Sequence, residues 1–520
     1  MTRSLAALAA AATALALPAV LVTPQPAGAA QARTIEWGDC AATGLTGPAD
    51  LRCGEVEADL VPGRPGRGTV TLAAARLPAT GPAAERAGTL VVHPGGPGAV
   101  GRGLLASLAA TAPAELRARY DLVAYDPRGT GASKPGLSCD PGFWNPPAPD
   151  PVPADARTER ELLRRATGYA ADCARNGGPL LAHMSTRDHA ADLEALRVAL
   201  GESRISFAGY GYGGYLGAAW ATLYPGSRDR LVLDSSMRPD SDLYRHYLDQ
   251  DRAMDDVAHR LFAWAARHDG AYGIGDTEEE VAAVYRALRE ELAGAPAQGV
   301  TGPYELEALV INATWDDRYW PIIADVLSAY AVRGDTSLAA LAYDMFAREE
   351  GDNRYASFLA TSCADGTWPR SWRRWHRDKT AMHAEAPFAA WNNAWHLAPC
   401  SRWPQRGGQG VRIDGAAVGE ALLLHATEGG GMPYEGGAAM HRALPASRLV
   451  VQEGGVNHAL SLVRGDACAD RAVLDYLLDG ELPADAGRGP DLVCPPGQEP
   501  QPPVAGAALR APATGKPAIR

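Results

Sequence analysis

Residues 205–215 constrain the fold more than any other stretch: Ile-Ser-Phe-Ala-Gly-Tyr-Gly-Tyr-Gly-Gly-Tyr. The first four read as a strand, and a helix running to Pro225 follows after only a Gly-Tyr-Gly-Tyr-Gly turn. A strand that passes so directly into a helix belongs in an open sheet of alternating strands and helices. Further apolar runs stand at 68–75, 89–93, 122–125, 231–233, 421–425 and 449–452. Most are short and unbroken by polar residues, the pattern of strands covered on both faces of a mostly parallel sheet. Helical stretches such as 190–200 and 212–223 separate several of them. Between 240 and 410 helical periodicity dominates (244–268, 278–293, 304–312, 321–333), and nine of the 12 tryptophans lie there. This reads as a helical lid, 240–410, inserted between core segments 33–239 and 411–494. Most of its tryptophans are expected in its own core and some in the wall of a pocket beneath.

The ends of the chain carry different signals. Residues 1–32 hold one arginine, an apolar stretch interrupted by Pro18, and then Ala27-Gly28-Ala29-Ala30. That is the layout of a secretory signal peptide, with cleavage expected near Ala29–Ala32 and the protein therefore secreted. Residues 495–520 are rich in proline and alanine, lack periodicity, and are expected to be disordered. The eight cysteines suit an oxidising destination and fall into sequence-local couples: Cys40/Cys53, Cys139/Cys173, Cys363/Cys400 and Cys468/Cys494. No C-x-x-C or H-x-x-x-H spacing marks a metal site, and no glycine-rich phosphate loop or nucleotide fingerprint marks a cofactor. A net charge of −12 without any Lys/Arg cluster argues against nucleic acid. No stretch in the rest of the chain is long and apolar enough to span a membrane. A monomer binding a peptide or small molecule is expected.

Six motifs, in order along the chain, resemble a known family. They are His93-Pro94-Gly95-Gly96-Pro97-Gly98, Asp126-Pro127-Arg128-Gly129-Thr130-Gly131-Ala132-Ser133, the turn at 209–213, and Asn392-Asn393-Ala394-Trp395 with Ala398-Pro399-Cys400. Pro433-Tyr434-Glu435-Gly436 and Gly454-Gly455-Val456-Asn457-His458 complete the set. Together they resemble the secreted bacterial tripeptidyl and prolyl aminopeptidases of the α/β-hydrolase fold, over about residues 34–494. The resemblance implies that fold, with a Ser…Asp…His triad in chain order. The turn maps onto the sharp bend that exposes the nucleophile, and its centre is Gly211, which has no side chain with which to attack a carbonyl. The triad aspartate stands four residues before the proline of a D-x-x-T-P-Y-E-G motif, which falls on Gly429. The triad histidine falls on His458. The resemblance also implies an oxyanion hole made by the loop around Gly96 and by Tyr212, the residue after the apex.

Several residues are candidates for what chemistry remains. His458 is suited to proton transfer if a partner fixes its tautomer. Glu428, beside the vacant aspartate position, and Asp234, after the 231–233 strand, are the candidate carboxylates for orienting it. Ser235 and Ser236 are the only hydroxyls considered as replacement nucleophiles. His93 and Tyr210 adjoin the site as substrate-binding candidates, with loop positioning the alternative for His93 and inward packing for Tyr210. Glu349, Glu350, Asp352 and Asp365 are candidates for holding the free ammonium of a peptide-like ligand. Three functions are open: an enzyme repurposed for acid/base chemistry without a covalent step, a binding protein without catalysis, and a weak residual peptidase. His458 and the oxyanion donors favour the first, and two glycines at triad positions favour the second.

Overall fold

A computed structural model describes residues 34–240, 242–487 and 489–503. The expected signal peptide and residues 504–520 of the expected tail lie outside the described residues.

Ten strands form one sheet: β1 (Gly38–Asp39), β2 (Arg52–Asp59), β3 (Thr69–Leu77), β4 (Gly88–His93), β5 (Tyr120–Tyr125), β6 (Ile205–Tyr210), β7 (Arg228–Asp234), β8 (Ala421–Ala426), β9 (Ser447–Gln452) and β10 (Leu492–Cys494). Their order is β1-β2-β3-β5-β4-β6-β7-β8-β9-β10. The first three pairings are antiparallel and the rest parallel. The strands β4, β6 and β8 are almost wholly buried along their length, which is why they read as unbroken apolar runs. In β2, Arg-Cys-Gly-Glu-Val-Glu-Ala-Asp, polar and apolar residues alternate instead, as on a sheet with one solvated face. It was not expected from the sequence, although its alternation was a usable signal.

The register decides which residues meet. His93 pairs with Gly209, Tyr210 with Asp234, and Asp234 with Leu424. The strands β4, β6, β7, β8 and β9 therefore end along one edge, and their loops gather there. Between β4 and β6 the chain order reverses, since β5 lies on the other side of β4. Ligands of open α/β sheets bind outside the carboxyl ends of the strands at such a switch point.

Between β7 and β8 the described chain builds helices and no sheet strand, among them Leu243–Arg267, Glu278–Gly294, Pro303–Trp315 and Trp320–Arg333. These four pack around an apolar core that includes Val257, Leu261, Trp264, Leu288, Leu309 and Leu327. Glu278–Gly294 starts where Thr277 and Glu280 cap each other's backbone N–H groups. The four sequence-local cysteine couples are all disulfides. No described helix is long and apolar enough to cross a membrane. The expectation of a disordered tail from 495 needs correction for its first residues. Trp264 Nε1 donates to the Pro500 carbonyl at 2.9 Å, and Arg267 pairs with Glu499, so this segment is strapped onto the insertion.

Candidate active site

The sharp turn forms because β6 and the helix Tyr212–Leu223 nearly touch. A Cβ on Gly209 would lie 2.3 Å from the Gly213 carbonyl oxygen, so the strand end admits no side chain there. At the apex Gly211 has φ 56° and ψ −116°, a left-handed backbone that L side chains seldom adopt. Its N–H donates to the Asp234 carbonyl at 2.9 Å, which ties the turn to the end of β7. A Cβ built on Gly211 would point at His458, 2.9 Å from Cε1 and 3.1 Å from Nε2, with the Met432 methyl at 3.3 Å. Gly211 and His458 are thus brought face to face, and the imidazole crowds the space a side chain at 211 would need.

His458 is buried, 9% exposed. Its backbone N–H donates to the Trp315 carbonyl at 2.9 Å, and its ring meets the Trp315 ring edge-on, centroids 4.9 Å apart at 87°. The Nδ1 atom, through which a partner would fix the tautomer, is buried and has no hydrogen-bond partner among the described residues. Burial, aided by nearby His425 and opposed by Asp316, drives the imidazole down to about 3, so it is neutral at ordinary pH.

Neither candidate carboxylate orients it. Glu428 pairs with Arg260 at 2.9 Å on the surface, both side chains being over two-fifths exposed. Asp234 is buried and fully engaged: Oδ1 accepts from Ser235 Oγ and the Leu460 N–H, and Oδ2 from the N–H and Oγ of Ser461. Its role is to hold the loop that follows His458. Ser235 Oγ is spent between Asp234 and the Ala459 N–H, and Ser236 Oγ donates to the Met237 carbonyl, so neither hydroxyl is presented as a nucleophile. At Gly429 a Cβ would meet the Met432 carbonyl at 3.0 Å; at Gly431 it would drive into the Trp315 ring at 2.4 Å. The three consecutive glycines let the loop lie against Trp315, and that ring fills the flank of His458.

The other expectations divide. His93 is buried and neutral, lowered to about 3 by burial, and its Nδ1 accepts from the Gly95 N–H at 3.1 Å. It positions the loop and does not face a ligand. Tyr210 packs inward, its hydroxyl donating to the Ser461 carbonyl at 3.1 Å. Asp352 is buried on Ser138, Tyr169 and the N–H groups of Cys139 and Asp140. Asp365 is buried on Thr186, and burial raises its carboxyl to about 7. Glu350 is exposed and is not part of the cavity wall. Of the four acids only Glu349 lines the cavity, paired with Arg354 at 3.5 Å. Gly96 also lines it, and Tyr212 opens a helix whose first N–H groups have no partner within the helix.

The cavity, about 170 Å³, lies between the β4 loop and the insertion, and seven Trp, Tyr and Phe rings share its wall with aliphatic and polar side chains. Met432 is in its wall, whereas Gly211 and His458 are not. The Met432 methyl also lies 3.3 Å from where a Cβ on Gly211 would stand. The sequence reading missed Met432 and missed Trp315 as a neighbour of His458. Met432 was marked only by standing at the threonine position of the D-x-x-T-P motif, and Trp315 only by membership of the tryptophan-rich insertion.

Burial of His458 has a consequence for stability. Its folded pKa lies below its unfolded value of about 6.5, so protons bind the unfolded chain first and stability falls as pH drops below that value. Compared with His458→Gln, the native protein should lose about 1.4 kcal/mol more per pH unit below 6.5. Urea unfolding of both proteins at successive pH values checks this. Parallel pH dependences would mean that the imidazole takes up protons freely in the fold.

Comparison with known proteins gives the chain's family. A family model described as "TAP-like protein" matches residues 386–494. The tripeptidyl aminopeptidase of Streptomyces coelicolor is 36% identical over 484 residues, 90% of this chain and 87% of that protein. Carboxylesterase B of Mycobacterium tuberculosis is 28% identical over 452 residues, 83% of this chain and 85% of that protein. Among solved structures, the proline iminopeptidase of Mycobacterium smegmatis matches at 15% identity with a TM-score of 0.35, covering 82% of this chain and 98% of that one. The chain belongs to the TAP-like family of α/β-hydrolases.

Proposed function

We propose that this protein is a secreted binding protein built on a hydrolase scaffold, in which covalent hydrolysis has been lost and ligand capture kept. One observation carries the reading: at the apex, where a nucleophile would face His458, stands Gly211, and the same histidine has a buried Nδ1 without a partner among the described residues. A triad works through a nucleophile, a base and a group that orients the base, and two of those three functions have no residue here. Gly429 accounts for the second absence, because neither Glu428 nor Asp234 takes up the orienting role. Met432 adds support, since it lines the cavity and its methyl crowds position 211, whereas Gly211 and His458 are not in the cavity wall.

Acid/base chemistry without a covalent step, which the sequence favours, retains one supporting observation. A neutral imidazole is a competent proton acceptor, and it sits beside a helix start that can stabilise negative charge. A base with no tautomer-fixing partner and no contact with the ligand space is poorly placed for it, so binding is the better reading.

The mature protein, incubated with a fluorophosphonate serine probe, should gain no adduct by intact-protein mass spectrometry. Stoichiometric labelling of any serine, mapped by peptide sequencing, would overturn the proposal.

A further inference from the structure

Resting on the binding reading, we infer that the cavity takes an uncharged aromatic ligand and rejects one with a free ammonium group. The rings of Trp144, Tyr247, Tyr304, Tyr343, Tyr355 and Phe358 line it. Such walls reward flat apolar surface, each aromatic contact adding to the area removed from water. Charge inside is already cancelled. Glu349 is matched by Arg354. Asp251, behind the wall, is matched by the buried Lys379 and by Asn393 Nδ2 at 2.8 Å. Asp352 and Asp365 face other elements. The outer side of the same aromatic cluster already carries a cation: the Arg165 guanidinium lies 4.1 Å from the Phe143 ring centre and 5.8 Å from that of Trp144. A second cation would meet repulsion there; the wall's own carboxylate, Glu349, is already paired, and the nearby Glu307, beside Asn392, is held toward its neutral form by burial, so little offsets the cation's lost hydration.

The test uses the mature protein and two probes differing by one charge, phenylalanine 2-naphthylamide and its N-acetyl derivative, titrated by calorimetry. The acetylated, neutral probe should bind at least about tenfold more tightly, because it carries no unpaired ammonium into the cavity. Ile311→Trp, which fills the cavity from its wall, should weaken that binding by at least about tenfold, and Phe358→Ala by several-fold. Circular dichroism checks that each variant is folded, and either variant suffices if the other is not. Equal or tighter binding of the ammonium probe, or no binding of the neutral one, would overturn the inference. Release of 2-naphthylamine would instead overturn the non-hydrolytic reading, while the affinity ratio would still decide the ligand class.

Discussion

Gly211→Ser alone should leave hydrolysis of aminoacyl and tripeptidyl anilides at the background rate. The new hydroxyl would enter a left-handed apex with its Cβ 2.9 Å from the His458 ring, so the imidazole must first retreat by a few tenths of an ångström. Even then its tautomer would be unfixed, because Nδ1 has no acceptor among the described residues. Combining Gly211→Ser with Gly429→Asp and Met432→Thr addresses each fault: the nucleophile, the orienting carboxylate and the methionine methyl that crowds position 211. Loss of the orienting aspartate costs about 10⁴ in turnover where it has been measured, so a partial repair should exceed the single variant by at least about 100-fold. Chromophore release by both variants, measured at equal concentrations, gives the ratio. Turnover by the single variant within about threefold of the combined one would show that His458 is already oriented. The binding reading would then lose its main support.

Asp192→Ala should destabilise the fold by about 3–5 kcal/mol, the cost of stranding a buried charge. Arg128, from the Asp-Pro-Arg-Gly-Thr-Gly motif, is fully buried, and its guanidinium forms a fork on Asp192: Nε to Oδ2 at 2.7 Å and Nη2 to Oδ1 at 2.6 Å. Its remaining donors reach the carbonyls of Asp59, Leu60 and His183, so one side chain ties β2, the loop after β5 and the helix Thr186–Ala199 together. Removing the carboxylate leaves the cation without its counter-charge and two N–H groups without acceptors. Guanidinium unfolding with the disulfides intact measures the change. A loss below about 1 kcal/mol would mean that Asp188, 4.0 Å from Arg128, takes over the pairing.

The sequence by itself determined the sheet's central strands, the sharp turn at Gly211, the helices of the insertion and the four disulfides. Each is written in neighbouring residues: unbroken apolar runs, a glycine-spaced bend, a 3.6-residue period, or cysteines at most 37 residues apart. It also placed Gly211 opposite His458, because strand order and register are consequences of the fold it implied. Partner choice was beyond its reach. Glu428 is adjacent in sequence to the vacant position, yet Arg260, 168 residues earlier, claims its carboxylate. Asp234 stands at the right sheet edge, but the backbone of Leu460 and Ser461 saturates it. The acids 352 and 365 are as polar in sequence as Glu349, and only burial against Cys139 and Thr186 removes them from the ligand's side. Trp315 and Met432 became site residues because three glycines allow one loop to close on a helix more than 100 residues away in the chain. A side chain's type is local, but which group satisfies its charge or covers its face depends on what the tertiary structure brings within about 3 Å, and hydrogen bonds and packing are decided at that distance.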